Sequence, residues 1–404
     1  MPAVILPPTP PVLLLAPYQC AAYILSQMPD GGRVVGLQKG QASLTDLAVA
    51  AAERLGKGAH ITMIAWEISE EDLATLQRVK EDGRAPRIEL QLDHRQATGP
   101  RFEAAINALG IVNVTASATH TEIAAVTLGA RGIVVRGSVG NYHDAQIEYF
   151  EIEENAELAA RVVSYHAHPQ TTAKTPDTKT ENILAAQALD GLKPGDRVFG
   201  FTIGFSIAAL VRAALDVTGP ADVQVATWSA AAEQIDAIRT HPAARAFRLV
   251  IGAGYARLCR AGTRYAQRVD RIFDALGPNG ARCAESHMKV ATIRNDRWNL
   301  TIRSTANLTT NLRADAFDVE DNAAVADMFD AWISDTFRDV KPGAHRTRSA
   351  IEGHLKRSLG GGLSKTAYTE RAPLDMAALT APPKPIDPAT LAALMAPAKQ
   401  LTLL

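Results

Sequence analysis

The spacing of apolar residues predicts alternating helices and strands along most of the chain. Apolar positions recur at helical spacing in SLTDLAVAAAERLG (residues 43–56) and SIAALVRAALDVTG (206–219), and each run ends at a glycine. An apolar strand follows each run and ends at a tryptophan, Trp66 in one case and Trp228 in the other. Next to Trp66, Ser69 is predicted to cap a further helix with acids in its first turn. Helices alternating with strands predict an α/β fold whose largely parallel sheet is covered by helices.

The same order of elements occurs twice along the chain. Placing His120 over His287 aligns HTEIAAVTLGARGIVVRGSVG with HMKVATIRNDRWNLTIRSTAN, and then EYFEIEENA with DAFDVEDNA, without a gap. Upstream, the match continues with small gaps and keeps Trp66 over Trp228. Chance matches would not stay in this order, so we predict two tandem copies of one α/β unit.

The pattern predicts five regions in the chain. They are an N-terminal arm (1–33), a first repeat (34–166), a linker (167–195), a second repeat (196–340) and a basic, then Pro/Ala-rich C-terminal extension (341–404). The arm is apolar but broken by prolines and lacks a basic start, so it predicts neither a signal peptide nor a membrane span. Three cysteines without C-x-x-C spacing favour a reducing compartment, and we expect a cytoplasmic protein.

Composition and charge exclude little beyond this. An apolar content of 47% with 21% charged residues is typical of a globular soluble protein. Lysine and arginine number 42 against 43 aspartates and glutamates, so the net charge of -1 predicts no partner. Any site for a polyanion must therefore be local.

The candidate chemistry lies on a predicted strand and hairpin in the second repeat. His287 and Lys289 are two residues apart on the strand and project to one side, and the hairpin can bring Thr305 and Asn307 beside them. An imidazole, an ammonium, a hydroxyl and an amide together suit a tetrahedral oxyanion such as phosphate. A neutral histidine can attack a phosphodiester, and the leaving oxygen then needs a proton, for which His120 is the natural donor. No cluster of carboxylate, His or Cys residues indicates a metal, and we expect no metal or cofactor.

These residues resemble the signature of the phospholipase D superfamily, H-x-K-x4-D-x6-G-S-x-N, across about residues 34–340. The resemblance implies two phospholipase D-like α/β repeats packed as a pseudo-dimer, with one shared, metal-free site that works through a phosphohistidine. It also implies a substrate that is a phospholipid or a nucleic acid. The segments FSIAAL and NLTIRSTANLTTN are most similar to those of prophage-encoded members.

The resemblance assigns roles residue by residue in the second repeat. It implies His287 as nucleophile or acid, with Lys289 and Asn307 as phosphate ligands. Thr305 replaces the serine of the signature, Ser304 replaces its glycine, and Asp315 is implied as the trailing acid that orients a histidine. The repeat departs from the signature in its spacer, where Arg294 replaces the expected aspartate.

The first repeat departs further from the signature. His120, Ser138 and Glu148 are retained, but Glu122 replaces the lysine and Gly140 occupies the asparagine position. A carboxylate facing a phosphodiester is expected to repel it, by about 1 to 4 kcal/mol for charges roughly 4 Å apart. Alternatively, Glu122 orients a histidine or neutralises the lysine of the other repeat.

Two function classes therefore remain open. The first is a phosphodiesterase that uses both histidines, with nucleic acid favoured over lipid because no amphipathic membrane helix or lipid anchor is evident. A local basic stretch also favours nucleic acid, and its residues are Lys341, Arg346, Arg348, Lys356, Arg357 and Lys365. The second class is a scaffold with a decayed site that binds nucleic acid or takes part in a phage-related assembly. The oligomeric state cannot be read from the sequence.

Overall fold

The computed structural model describes residues 3–16, 19–96, 99–110, 113–140, 146–168, 177–202, 204–252, 264–309 and 313–342. These residues form two eight-stranded sheets. The first sheet contains β2 (Pro11–Ala16), β3 (Arg33–Gln38), β4 (His60–Ala65), β5 (Arg87–Asp93), β6 (Val114–Ser117), β7 (Ile123–Leu128), β8 (Arg131–Gly137) and β9 (Glu148–Glu154). The second sheet contains β1 (Val4–Leu6), β10 (Arg197–Phe201), β11 (Ala221–Thr227), β12 (Ala244–Gly252), β13 (Ala281–Ala284), β14 (Lys289–Arg294), β15 (Asn299–Ser304) and β16 (Ala316–Asp321).

The helices follow the strands in the same order in both repeats. They are α1 (Ala21–Ser26), α2 (Leu44–Leu55), α3 (Glu70–Glu81), α4 (Pro100–Leu109), α5 (Ala156–Ala167), α6 (Thr178–Ala188), α7 (Ile207–Thr218), α8 (Ala232–Arg239), α9 (Arg264–Leu276) and α10 (Ala323–Asp339). No helix in the described ranges combines the length and the apolar character that a membrane crossing requires.

Seven strands of each sheet have the same order and directions, which confirms the predicted duplication. The edge strands differ, since β2 is parallel to β3 and β1 is antiparallel to β10. The strand orders of the two sheets are β2-β3-β9-β8-β7-β4-β5-β6 and β1-β10-β16-β15-β14-β11-β12-β13. The expectation of largely parallel sheets is wrong, because only β2–β3, β4–β5, β5–β6, β11–β12 and β12–β13 pair in parallel. Crossover helices join only the early strands of each repeat. The later strands follow one another through hairpins, which impose antiparallel pairing.

Side-chain caps and a glycine mark the ends of α2 and α3. The Ser43 side chain accepts a hydrogen bond from the Asp46 amide at 3.1 Å, and the Asp46 carboxylate accepts one from the Ser43 amide at 3.0 Å. Ser69 caps α3 in the predicted way, since it accepts from the Asp72 amide at 3.0 Å. Gly56 ends α2 with φ of 118°, a conformation that residues with a side chain rarely adopt.

The residues outside the repeats also form regular structure. In the predicted N-terminal arm, β1 pairs with β10 of the second sheet and β2 pairs with β3 of the first, so this short segment extends both sheets. The predicted linker contains α6, and residues 169–176 of it lie outside the described residues. The C-terminal extension lies outside them beyond residue 342.

Two apolar cores join the repeats. In one, α5 packs with the first sheet, and Phe199 and Phe201 of β10 enter from the second sheet. In the other, α10 packs with the second sheet, and Val35 and Tyr149 enter from the first. The closing helix of each repeat is therefore buried partly by the other repeat.

A cluster of eight buried charges also joins the repeats. Each repeat supplies two arginines and two acids from equivalent positions, namely Arg33, Arg136, Glu151 and Glu153 from the first and Arg197, Arg303, Asp318 and Glu320 from the second. Several of its ion pairs cross between the repeats. Arg136 contacts Asp318 at 3.0 Å, Arg197 contacts Glu153 at 2.5 Å, and Arg33 pairs with Glu320.

The electrostatics of the cluster require all of its members. Burial by itself raises the pKa of the Glu151 carboxyl, but the surrounding guanidinium groups of Arg136 and Arg303 bring that pKa well below its usual range. Charges this far from water are tolerated only when paired, and removing one partner leaves an uncompensated charge. The four arginines and four acids of the cluster therefore neutralise one another only when all eight are present.

We expect Arg303→Met to lower the free energy of unfolding by about 3 to 5 kcal/mol, because it leaves four buried acids with three guanidinium groups. Urea unfolding followed by circular dichroism measures the change. Arg161→Met is the matched control, since its exposed pair with Glu157 should contribute under about 1 kcal/mol. Equal effects of the two substitutions would contradict a structural role for the cluster.

Candidate functional site

The ends of three neighbouring strands bring the predicted site residues of each repeat together. In the first sheet β7, β8 and β9 are antiparallel, so the start of β7, the end of β8 and the start of β9 share one edge. His120 precedes β7, Ser138 follows β8, and Glu148 begins β9. The second sheet repeats this arrangement with His287 and Lys289 at β14, Thr305 after β15 and Asp315 before β16.

Each histidine is held by the opposite repeat. His120 Nδ1 lies 3.1 Å from the Thr305 carbonyl oxygen and 3.1 Å from Asp315 Oδ1. Its backbone amide donates to the Ala314 carbonyl at 3.0 Å. Both oxygens near Nδ1 can only accept, so Nδ1 carries the proton and Nε2 carries the lone pair.

His287 has the equivalent environment in the other direction. Its Nδ1 lies 3.0 Å from the Ser138 carbonyl oxygen and 3.3 Å from Glu148 Oε1, and its amide donates to the Ile147 carbonyl at 2.9 Å. The Lys289 ammonium lies 3.3 Å from Nδ1 but closer, at 3.1 Å, to Nε2, so the two acceptors place the proton on Nδ1 and the lone pair on Nε2. The two histidine–acid pairs are thus crossed, since in each pair the histidine comes from one repeat and the acid from the other.

Lys289 lies beside His287, with Nζ 3.1 Å from His287 Nε2 and only 3% of the residue exposed. Burial lowers the pKa of Lys289 to about 8, and the carboxyls of Glu148, Glu122 and Asp315 limit the fall. Burial also lowers the pKa of His287 well below its ordinary value, and the nearby Lys289 and His120 add to this effect. His287 is therefore a neutral imidazole at neutral pH.

Glu122 lies in the same site, 6% exposed, and its Oε1 accepts a hydrogen bond from the Trp66 amide at 3.1 Å. Burial raises the pKa of the Glu122 carboxyl well above its usual value, although the Trp66 amide and Lys289 oppose the rise. Burial therefore disfavours the ionised form of Glu122, which is the form expected to repel a phosphodiester.

The hydroxyl groups of the motif bond to protein atoms. Thr305 Oγ1 donates to Asp315 Oδ1 at 3.0 Å, and Ser304 Oγ donates to the Ala316 carbonyl at 2.8 Å. Ser138 Oγ accepts from the Tyr149 amide at 3.0 Å. These three residues position the strand ends and the acids.

The position of the signature asparagine differs between the repeats. Asn307 Oδ1 accepts from the Ser229 amide at 3.2 Å, which orients the amide and leaves its NH₂ group as a donor. Gly140 offers only backbone, and its carbonyl accepts from the Leu44 amide at 3.0 Å. Residues 141–145 lie outside the described residues.

Arg294, which replaces an aspartate of the signature, lies away from the histidines at the far end of β14. Its guanidinium donates to Asp327 and Asp330 of α10 at 2.6 and 2.9 Å. This residue fastens the closing helix to the sheet.

Sequence reasoning missed an aromatic and basic group at the edge of the site. Trp66 packs edge-on against His120 with ring centroids 5.2 Å apart. The guanidinium groups of Arg95 and Arg313 lie 3.9 and 4.4 Å from the Trp66 ring centroid. The repeat alignment had identified Trp66, but the arginines follow strand ends with no recognisable motif. Of the predicted basic stretch, only Lys341 is described.

No group of three or more His, Cys, Asp or Glu residues in the described ranges could hold a metal ion. The site in these ranges consists of two imidazoles, one ammonium, one amide and three carboxyls.

No family model matches the sequence, and no curated protein matches it. Among solved structures, the chain is similar to phosphatidylserine synthase from Haemophilus influenzae, with 13% identity and a TM-score of 0.50 over 84% of this chain and 96% of that one. It is also similar to polyphosphate kinase from Porphyromonas gingivalis, with 9% identity and a TM-score of 0.52 over 81% of this chain and 51% of that one. Identities this low establish the fold alone.

We expect the affinity of the site for an anion to fall as the pH rises through about 8, because Lys289 then loses its charge. Dimethyl phosphate is a suitable probe, since it stays a monoanion throughout, and calorimetric titration between pH 6.5 and 9.5 measures the change. In Lys289→Met the affinity should be low and without this step. A wild-type affinity that is constant across pH 8 would exclude Lys289 as the anion's partner.

Proposed function

From the phospholipase D-like fold that this chain shares with the two solved structures, we propose that it is a phosphodiesterase that works through a phosphohistidine without a metal. The observation that carries the proposal is the crossed arrangement of His120 with Asp315 and His287 with Glu148. Each imidazole has a fixed Nδ1–H and a lone pair on Nε2, which nucleophilic and acid–base catalysis both require.

We assign His287 as the nucleophile. Its Nε2 attacks the phosphorus atom, the bond from phosphorus to the leaving oxygen breaks, and that oxygen takes a proton from Nε2 of His120. His120 enters this step as an imidazolium, whose Nε2 proton comes from solvent or from the water cleaved in the preceding turnover. Asp315 stabilises the positive charge on His120 before this transfer. In the second step His120 takes a proton from water, and the resulting hydroxide displaces His287 from phosphorus, which restores both residues.

Lys289 and Asn307 are the proposed donors to the non-bridging oxygens. The Lys289 ammonium is 3.1 Å from the nucleophilic nitrogen, so a phosphorus atom bound there would have its oxygens within reach of this charge. The amide NH₂ group of Asn307 is oriented by the Ser229 contact. Thr305 acts through Asp315 and is a positioning residue.

Nucleic acid is the proposed substrate class. Trp66 with Arg95 and Arg313 forms an aromatic and cationic edge next to His120, and groups of this kind bind the backbone and bases of single strands. The basic stretch between Lys341 and Lys365 would add phosphate contacts.

The alternative is a non-catalytic scaffold that binds nucleic acid or takes part in a phage-related assembly. It is favoured by the incomplete first repeat, in which Glu122 and Gly140 occupy the positions of two phosphate ligands. This class predicts salt-dependent binding without turnover.

We expect the protein to hydrolyse bis(p-nitrophenyl) phosphate in the presence of EDTA, and His287→Ala to reduce kcat by at least about 1000-fold, because no other group supplies the nucleophile. Release of p-nitrophenolate measures the rate. His241→Ala is the control, since that histidine lies elsewhere and pairs with Asp216. Turnover that persists in His287→Ala would rule out the mechanism, and no turnover in the wild type would favour the scaffold.

We expect His120→Asn to accumulate a phosphoryl group on His287. The first step still proceeds with p-nitrophenolate, a good leaving group, but the base that activates water for the second step is missing. Rapid quenching under alkaline conditions and mass spectrometry of the peptide containing His287 detect the adduct. A phosphorylated His120 peptide in the wild type would reverse the two assignments.

A further inference from the structure

Glu122 occupies in the first repeat the position that Lys289 occupies in the second. Each residue follows its histidine by two positions, and adjacent residues of an extended chain alternate in direction, so Glu122 projects to the side of His120. The pseudo-symmetry of the two repeats therefore brings one carboxyl and one ammonium to the shared site.

Among the described residues, one oxygen of the Glu122 carboxyl has a hydrogen-bond partner and the other has none. Oε1 accepts from the Trp66 amide at 3.1 Å. Oε2 is buried, and no atom of the described residues forms a hydrogen bond with it. Since a buried polar atom without a partner costs free energy, this oxygen indicates a ligand that completes its hydrogen bonding.

The surroundings of Glu122 disfavour a negative charge. The cation that acts on it is Lys289, whose ammonium also interacts with Glu148 and Asp315. Asp315 accepts a hydrogen bond from Thr305 at 3.0 Å, whereas Oε2 of Glu122 receives none among the described residues. Burial and the nearby Glu67 and Asp315 raise the pKa of the Glu122 carboxyl well above its usual value, which favours its uncharged form.

We propose that Glu122 is an uncharged donor whose Oε2–H donates to a non-bridging oxygen of the bound ligand, and that it makes the site selective for monoanionic phosphodiesters over dianionic phosphomonoesters. The inference rests on the proposed phosphodiester site and names the substrate charge that this site accepts. A site with an ammonium from each repeat would neutralise two charges. With Glu122 in place of one ammonium, it neutralises a single charge and still supplies a hydrogen bond from the first repeat.

The test measures binding, which does not depend on turnover. Dimethyl phosphate represents the monoanionic diester and methyl phosphate the dianionic monoester, each titrated calorimetrically at pH 7.5 into the full-length protein. The variants are Glu122→Gln, Glu122→Ala and Glu122→Lys. Glu157→Gln, an exposed carboxylate on α5, controls for the general loss of a negative charge. Thermal unfolding of each variant checks that it is folded.

The proposal gives a separate expectation for each variant. Glu122→Gln keeps an uncharged donor, so both affinities should stay within about twofold of the wild type, as in the control. Glu122→Ala loses the donor and should bind dimethyl phosphate about tenfold more weakly. Glu122→Lys adds a charge and should strengthen methyl phosphate binding about tenfold more than dimethyl phosphate binding.

Three results would overturn the proposal. A Glu122→Gln variant that binds both anions tenfold or more tightly would mean that Glu122 was ionised. A folded Glu122→Ala variant with wild-type affinity would mean that Glu122 does not touch the ligand, and a wild type that binds no dimethyl phosphate would mean that there is no such site. If Glu122→Ala does not fold, Glu122→Gln and Glu122→Lys still decide the matter. Binding as expected but without hydrolysis would contradict the proposed function alone.

Discussion

The buried cluster of four arginines and four acids is the constraint on which the arrangement of the two repeats depends. Its charges balance only when both repeats contribute, because Arg136 is paired with Asp318 and Arg197 with Glu153 across the junction. Buried ion pairs add little net stability compared with apolar packing, but a misplaced partner is costly. The cluster therefore specifies one relative placement of the sheets, and the apolar cores around α5 and α10 supply the driving force.

This placement creates the site. Four of the six strands that bear the charge cluster, β8, β9, β15 and β16, have at one end the groups that hold the histidines. Neither repeat alone holds its own histidine in place, since His120 needs Asp315 and His287 needs Glu148. The junction thus fixes each histidine relative to an acid of the other repeat, as the proposed phosphodiester cleavage would require.

The junction is nearly symmetric in structure, but its two halves differ chemically. Both histidines have the same tautomer and equivalent partners, while the next inward-facing residue is Lys289 on one side and Glu122 on the other. Burial and the neighbouring acids raise the pKa of the Glu122 carboxyl, and the single ammonium of Lys289 opposes this rise. The substitution that suggests decay in the sequence places, in the folded protein, a buried carboxyl whose Oε2 has no hydrogen-bond partner among the described residues.

The sequence by itself determined the duplication, the main helices and strands, the cap at Ser69, and the equivalent places of His120 and His287 in the two repeats. These follow from local periodicity and from residue order, which the chain records directly. Only the tertiary structure decided that most strand pairs are antiparallel, that the acids cross between repeats, that Arg95 and Arg313 flank Trp66, and that burial raises the pKa of Glu122. Strand pairing, charge compensation and burial depend on residues far apart in the chain, and no local pattern encodes the low dielectric in which those residues meet.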